Sequence, residues 1–151
     1  MAKSCVPFAL LAVVVLSFGR PMSSSDHAGS ARDKLVGAWR LVSEEDQEPD
    51  GKIVKVDHSG VLIYTRDGHV AVEVMAPPGS AAETNGGFIA YFGDYKVDET
   101  ARTITFHVEG ALLRSQIGKD LIRKYHFSGR QLILTFSKPG GHHGTTIWEH
   151  Y

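Results

Sequence analysis

Three side chains in the second half of the chain are of the types that do acid–base or anion chemistry: His107, Glu109 and Arg123. A histidine moves protons near neutral pH. A carboxylate orients it or acts itself, and a guanidinium holds an anion or a developing oxyanion. Tyr95 and Tyr125 add hydroxyls. Enclosed together in apolar surroundings, such groups would have shifted proton affinities. The same set also serves a purely structural purpose, as a buried Arg–Glu pair with a histidine satisfying it. Which of these holds depends on the face of each strand the residues occupy.

From Leu35 to Glu149 the chain is a succession of short alternating segments separated by turn residues. Strands are expected at about 36–43, 60–66, 69–76, 90–97, 102–109, 120–127, 130–137 and 144–150. About eight antiparallel strands can close into a barrel whose interior holds one small ligand. The expected fold is therefore all-β, a single antiparallel up-and-down barrel with its first and last strands paired so that no edge is free. Trp39, near the start of the first strand, suits the role of a plug at the narrow end, with a cation stacked on its face. Arg40 alternates to the other side.

Turn chemistry sets the expected register. Asp67-Gly68 reads as a two-residue hairpin turn. It places Ile63 opposite Val72 and points Val61, Ile63, Val70, Val72 and Val74 inward, with Tyr64 and Glu73 outward. Ser128-Gly129 reads the same way and sets Tyr125 opposite Leu132 and Arg123 opposite Leu134. Leu132, Leu134 and Phe136 form the apolar face of their strand, so Arg123, Tyr125 and Phe127 follow them inside. The 102–109 strand is ambiguous. Its apolar set is Ile104, Phe106 and Val108. A connection centred near Ser115 would instead put His107 opposite Arg123 and carry His107 and Glu109 into the lumen, and this arrangement is the one expected here. The expected ligand-binding set is Arg123, Tyr125, Tyr95, Ile63, Val72 and Leu134, with His107 and Glu109 as candidate catalytic groups.

The remaining segments frame the barrel. Residues 1–19 read as a signal peptide, with Lys3 ahead of an apolar run from Val6 to Phe18 and the small residues Ser17 and Gly19 before a cleavage point at Arg20. Residues 20–33 are small and polar and read as a flexible linker, leaving 34–151 as the barrel domain. Glu44 to Gly51 reads as an acidic loop. Residues 77–87 break the sheet. A short helix from Ser80, with Glu83 three residues on, would lid one mouth near 80–90, and a plain surface loop fits equally.

Composition narrows the partners. Net charge is −1, with 16 basic against 17 acidic residues, so no basic excess points to nucleic acid. Cys5, within the leader, is the only cysteine, which rules out a disulfide framework or a thiolate metal site. His142 and His143 follow a glycine turn, and adjacent residues in extended chain face opposite ways, so they do not share an ion. No metal or cofactor is expected. Neither a nucleophile elbow nor a phosphate loop occurs.

Three stretches then carry a likeness: Leu35-Val-Gly-Ala-Trp39-Arg-Leu-Val-Ser43, Gly87-Phe-Ile-Ala-Tyr-Phe-Gly-Asp-Tyr95-Lys-Val, and His107-Val-Glu-Gly110. With the closing Ile147-Trp-Glu149 the chain resembles the bacterial and fungal lipocalin-like domain family over about residues 34–151. The resemblance implies an antiparallel barrel around a cavity and no single activity. Two departures, a shorter 77–86 segment and Ala111-Leu-Leu-Arg-Ser-Gln-Ile-Gly in place of an aromatic-rich stretch, both alter the rim, so ligand identity does not carry over. The leading expectation is a secreted or periplasmic barrel, monomeric or homodimeric, that binds a small apolar or amphipathic molecule. It would have no membrane span once the leader is removed. The alternatives are a cofactor-free isomerase, cyclase or lyase using His107 and Glu109, and a filled barrel with no ligand.

Overall fold

In the computed structural model the described residues are 29–80 and 87–151. The expected leader, most of the expected linker, and the expected lid helix from residue 81 onward lie outside them.

Among the described residues the sheet contains nine strands: β1 (Gly37–Gln47), β2 (Ile53–Val56), β3 (Ser59–Tyr64), β4 (His69–Met75), β5 (Phe88–Asp98), β6 (Thr103–Ala111), β7 (Asp120–Ser128), β8 (Gln131–Ser137) and β9 (His143–His150). All pair antiparallel in the order β2-β1-β3-β4-β5-β6-β7-β8-β9, and β1 also pairs with β9. Eight strands thus close a barrel, and β2 is the extra one. It lies along the same side of β1 as β3: Glu44–Gln47 pair with β2, and Gly37–Arg40 pair with β3. Closure removes the free edges of the eight-strand ring, as the alternation pattern requires.

One end of the barrel is plugged. A single helical turn, α1 (Ala31–Leu35), precedes β1, and Ser30 caps it by accepting a hydrogen bond from the Asp33 amide at 3.1 Å. This turn overlaps the last residues of the segment expected as a linker. Leu35 is fully buried, and its carbonyl accepts a 2.8 Å hydrogen bond from the Trp39 indole. Trp39 is buried as the plug role requires, with the His150 ring on its face. Arg40 points out and pairs with Glu149 at 2.9 Å. Val70, Tyr95, Tyr125 and Leu132 fill the same end. β4 ends and β5 begins at the other end, which also carries the 112–119 and 138–142 connections and the segment linking β1 to β3, and this end holds the mouth.

Two bulges decide which residues face in. In β1 an extra residue, Val42, sits between the pairs Leu41–Trp148 and Ser43–Ile147. Because the side-chain period is two, one extra residue reverses the alternation. Val42 is exposed as a result, and Glu44 turns inward and is buried. The expected acidic loop from residue 44 is thus strand to Gln47. In β6 the extra residue is Glu109, between the pairs Phe92–Gly110 and Gly93–Val108. Gly93 permits this approach, since a Cβ there would stand 1.9 Å from the His107 carbonyl oxygen.

Candidate functional site

The barrel encloses a cavity of about 470 Å³ open at the mouth end, within the range of small-molecule pockets. Its apolar wall includes Leu62, Val72, Val74, Phe106, Leu134 and Trp148. Val72 and Leu134 were expected there. Leu62, Phe106 and Trp148 arrive through the inward alternation of β3, β6 and β9. The indole of Trp148 donates to the Thr146 hydroxyl at 2.8 Å, so its one polar atom is satisfied within the wall.

Arg123 lines this cavity, as its shared face with Leu134 requires. The β7–β8 turn is one residue later than expected: Ser128 pairs with Gln131 and Tyr125 with Leu134, so the turn is Gly129-Arg130. That shifts the pairing by two residues, and an even shift preserves the face. The guanidinium carbon lies 4.2 Å from the centroid of Phe136 and 5.9 Å from that of Phe106. Its own hydrogen bond goes to the Ile122 carbonyl at 3.2 Å. Among the described residues no carboxylate oxygen comes within 4.0 Å of it. Tyr91, also in the lining, neighbours the guanidinium. Burial pushes its phenol above the usual value, and the nearby positive charge opposes that shift.

His107 and Glu109 do not join this group. Ile104, not His107, pairs with Arg123, an odd displacement that turns the strand over. Ile104, Phe106 and Val108 are buried, while His107 and Glu109 are exposed on the outer surface. His107 there meets Asp120 at 2.8 Å, both groups more than half exposed. The expected His107–Glu109–Arg123 cluster is therefore corrected. The register is set by the way residues 112–119 return: the Val108 amide donates to the Lys119 carbonyl, and the Gly118 amide to the Val108 carbonyl.

The β3–β4 hairpin brings a second correction of the same kind. The Thr65 amide donates to the His69 carbonyl at 2.9 Å and the His69 amide to the Thr65 hydroxyl at 2.9 Å, so the loop is the three residues Arg66-Asp67-Gly68, with Gly68 at φ +108°. Leu62 then pairs with Val72 and Tyr64 with Val70. Tyr64 and Leu62 are buried, while Ile63 and Val61 move to the outer face. Ile63 is thus not part of the cavity. Tyr95 and Tyr125 are buried, but at the plugged end and outside the lining. The Tyr95 hydroxyl donates to the Thr65 carbonyl at 3.0 Å, and Tyr125 packs edge-on against Phe127.

Sequence reading missed the acid in the cavity wall. Glu44 is 5% exposed and lines the mouth region. One carboxylate oxygen meets His58 Nδ1 at 2.9 Å, and the other lies 3.8 Å from Lys138 Nζ, which itself pairs with Asp46. The bulge at Val42 is what exposes this role, and β-bulges have no firm sequence signature. Among the described residues no group of three or more His, Cys, Asp or Glu side chains is placed to hold a metal ion. No helix among them is long and apolar enough to cross a membrane.

A closed antiparallel barrel plugged by a tryptophan and hollow at its other end defines a container of the lipocalin type. The chain belongs to the lipocalin-like domain family, whose model matches residues 36–150. No curated protein matches the chain. Among solved structures, a redesigned β-barrel is similar over 80% of this chain and 95% of its own, with 13% identity and a TM-score of 0.49.

Proposed function

We propose that this protein is an exported lipocalin-like barrel that binds a small, largely apolar ligand in its central cavity. The observation that carries the reading is the cavity itself: about 470 Å³, open at one end and walled chiefly by aliphatic and aromatic side chains. A space of that size and lining is filled favourably by apolar surface. The basic residue and apolar run of the leader support export to a secreted or periplasmic location. The acid–base reading built on His107 and Glu109 has no support from the fold, because both groups face away from the cavity.

Native mass spectrometry of the protein purified from its own source tests the binding reading. The expected result is a retained small molecule, or its saturable replacement by an apolar probe such as N-phenyl-1-naphthylamine. A bare chain that takes up no probe would overturn it. N-terminal sequencing of the native protein tests export. The expected start is at or near Arg20, and a cytoplasmic product retaining Met1 would contradict it.

A further inference from the structure

The charges facing the cavity are unequally matched. The carboxylate of Glu44 is met by His58 and Lys138. On the outer surface Arg40 has Glu149, and His107 has Asp120. The guanidinium of Arg123 has aromatic faces, a backbone carbonyl and the neighbouring phenol of Tyr91, and among the described residues no acid. A guanidinium does not give up its proton. Arg123 is partly exposed, and the aromatic faces compensate only part of the hydration it gives up at the cavity wall. The fork of N–H donors is suited to a planar or tetrahedral oxyanion, which it binds through two parallel hydrogen bonds.

Position adds to the chemistry. Along β7, Leu121 lies nearest the mouth, Arg123 two residues deeper and Tyr125 at the plugged end. Arg123 is partly exposed, so an anion reaches it from the open end of the cavity. Tyr91 is kept protonated by burial and so remains a donor beside it. The buried hydroxyl of Tyr64, which shares the electrostatic neighbourhood of Tyr91 and Arg123, has no hydrogen-bond partner among the described residues.

We propose that the ligand is amphipathic, with an anionic oxygen group held by Arg123 and Tyr91 and an apolar body lying against Val72, Val74 and Leu134. This rests on the reading of the cavity as a ligand site. It makes Arg123 the residue that discriminates an acid from its uncharged counterpart.

Two fluorescent probes separate the possibilities: 1-anilinonaphthalene-8-sulfonate, and N-phenyl-1-naphthylamine, which has the same rings without the sulfonate. Each is titrated into the wild type, Arg123→Met and Arg123→Lys, with circular dichroism to establish folding. Arg123→Met is expected to weaken the sulfonate probe by about tenfold or more, the scale of a lost charge-assisted hydrogen bond, and to leave the uncharged probe within about twofold. Arg123→Lys keeps the charge without the fork and is expected to fall between. If Arg123→Met does not fold, a selective loss of the sulfonate probe in Arg123→Lys supports the proposal, and no selectivity overturns it. Equal weakening of both probes, or of neither, overturns the anion assignment and leaves the binding cavity standing. Failure of both probes to bind the wild type overturns the cavity reading itself.

Discussion

The rings of Trp39 and His150 stack with centroids 3.7 Å apart and 31° between their planes, joining the first strand to the last at the plugged end of the barrel. Gly37 makes the space for this pair. Its φ is +135°, and a Cβ there would stand 2.8 Å from His150 Cε1. The Gly-x-Trp element is thus a closing device in which the glycine is required by its neighbour's ring as well as by its backbone. Gly37→Ala is expected to cost about 1–3 kcal/mol, the usual size of such local strain. Urea denaturation measures it, and an unchanged midpoint and slope would contradict the packing described.

Gly93 is the second position where the backbone leaves no room. Gly93→Ala would press a methyl group onto the His107 carbonyl oxygen across the β5–β6 bulge. The expected cost is about 3 kcal/mol or more, at the upper end of overpacking effects. Thermal unfolding of the variant checks this, and a wild-type melting curve would show that the bulge is misplaced.

The fold was legible because alternation survives errors in turn placement, but individual faces survive only some of them. At β7–β8 the expected turn was off by one position and the pairing by two, so Arg123 stayed inside. At β3–β4 and at β6–β7 the displacement was odd, and Ile63, Tyr64, His107 and Glu109 each changed sides. The difference lies in loop length. Asp-Gly appears in both two- and three-residue hairpins, and the 112–119 connection has no turn signal that dictates its centre. Glu44 was hidden for a related reason: the β1 bulge at Val42 reverses a pattern that the residues before it set correctly. Trp39, Val72, Leu134 and Arg123 kept their faces: Trp39 lies ahead of the β1 bulge, Val72 follows the alternation of β4 itself, and the even displacement at β7–β8 holds Arg123 on the face of Leu134.

On the outer face, His107 and Glu109 are expected to matter little. The His107–Asp120 pair is exposed on both sides, and exposed pairs contribute at most about 1 kcal/mol. His107→Ala combined with Glu109→Gln should fold normally and bind the naphthylamine probe with unchanged affinity. A large loss of probe affinity in a folded double variant would mean that these residues reach the cavity after all.

Alkaline pH acts on the tyrosines that line and underlie the cavity. Burial holds the phenols of Tyr64 and Tyr91 above their usual value of 10.0. A group whose folded value is raised contributes stability that is present in full below its unfolded value and lost as pH rises through the folded one. Stability should therefore be insensitive to these two groups up to about pH 10 and decline above it. Tyr64→Phe should reduce the decline. Denaturation curves across the alkaline range, with tyrosinate absorbance recorded alongside, test this. Ionisation of all five tyrosines in an intact fold near the ordinary phenol value would contradict it.

A ligand that sits in the hollow of the barrel is excluded when that hollow is filled. Val72 is buried on the cavity wall, and a tryptophan in its place would project into the space. Overpacking of this kind costs about 1–3 kcal/mol, so the variant should still fold. Calorimetric titration of N-phenyl-1-naphthylamine into wild type and Val72→Trp is the measurement. Saturable binding of one probe per chain in the wild type, abolished in a folded Val72→Trp, is the predicted result. Undiminished binding in that variant, or no binding by the wild type, would contradict the account.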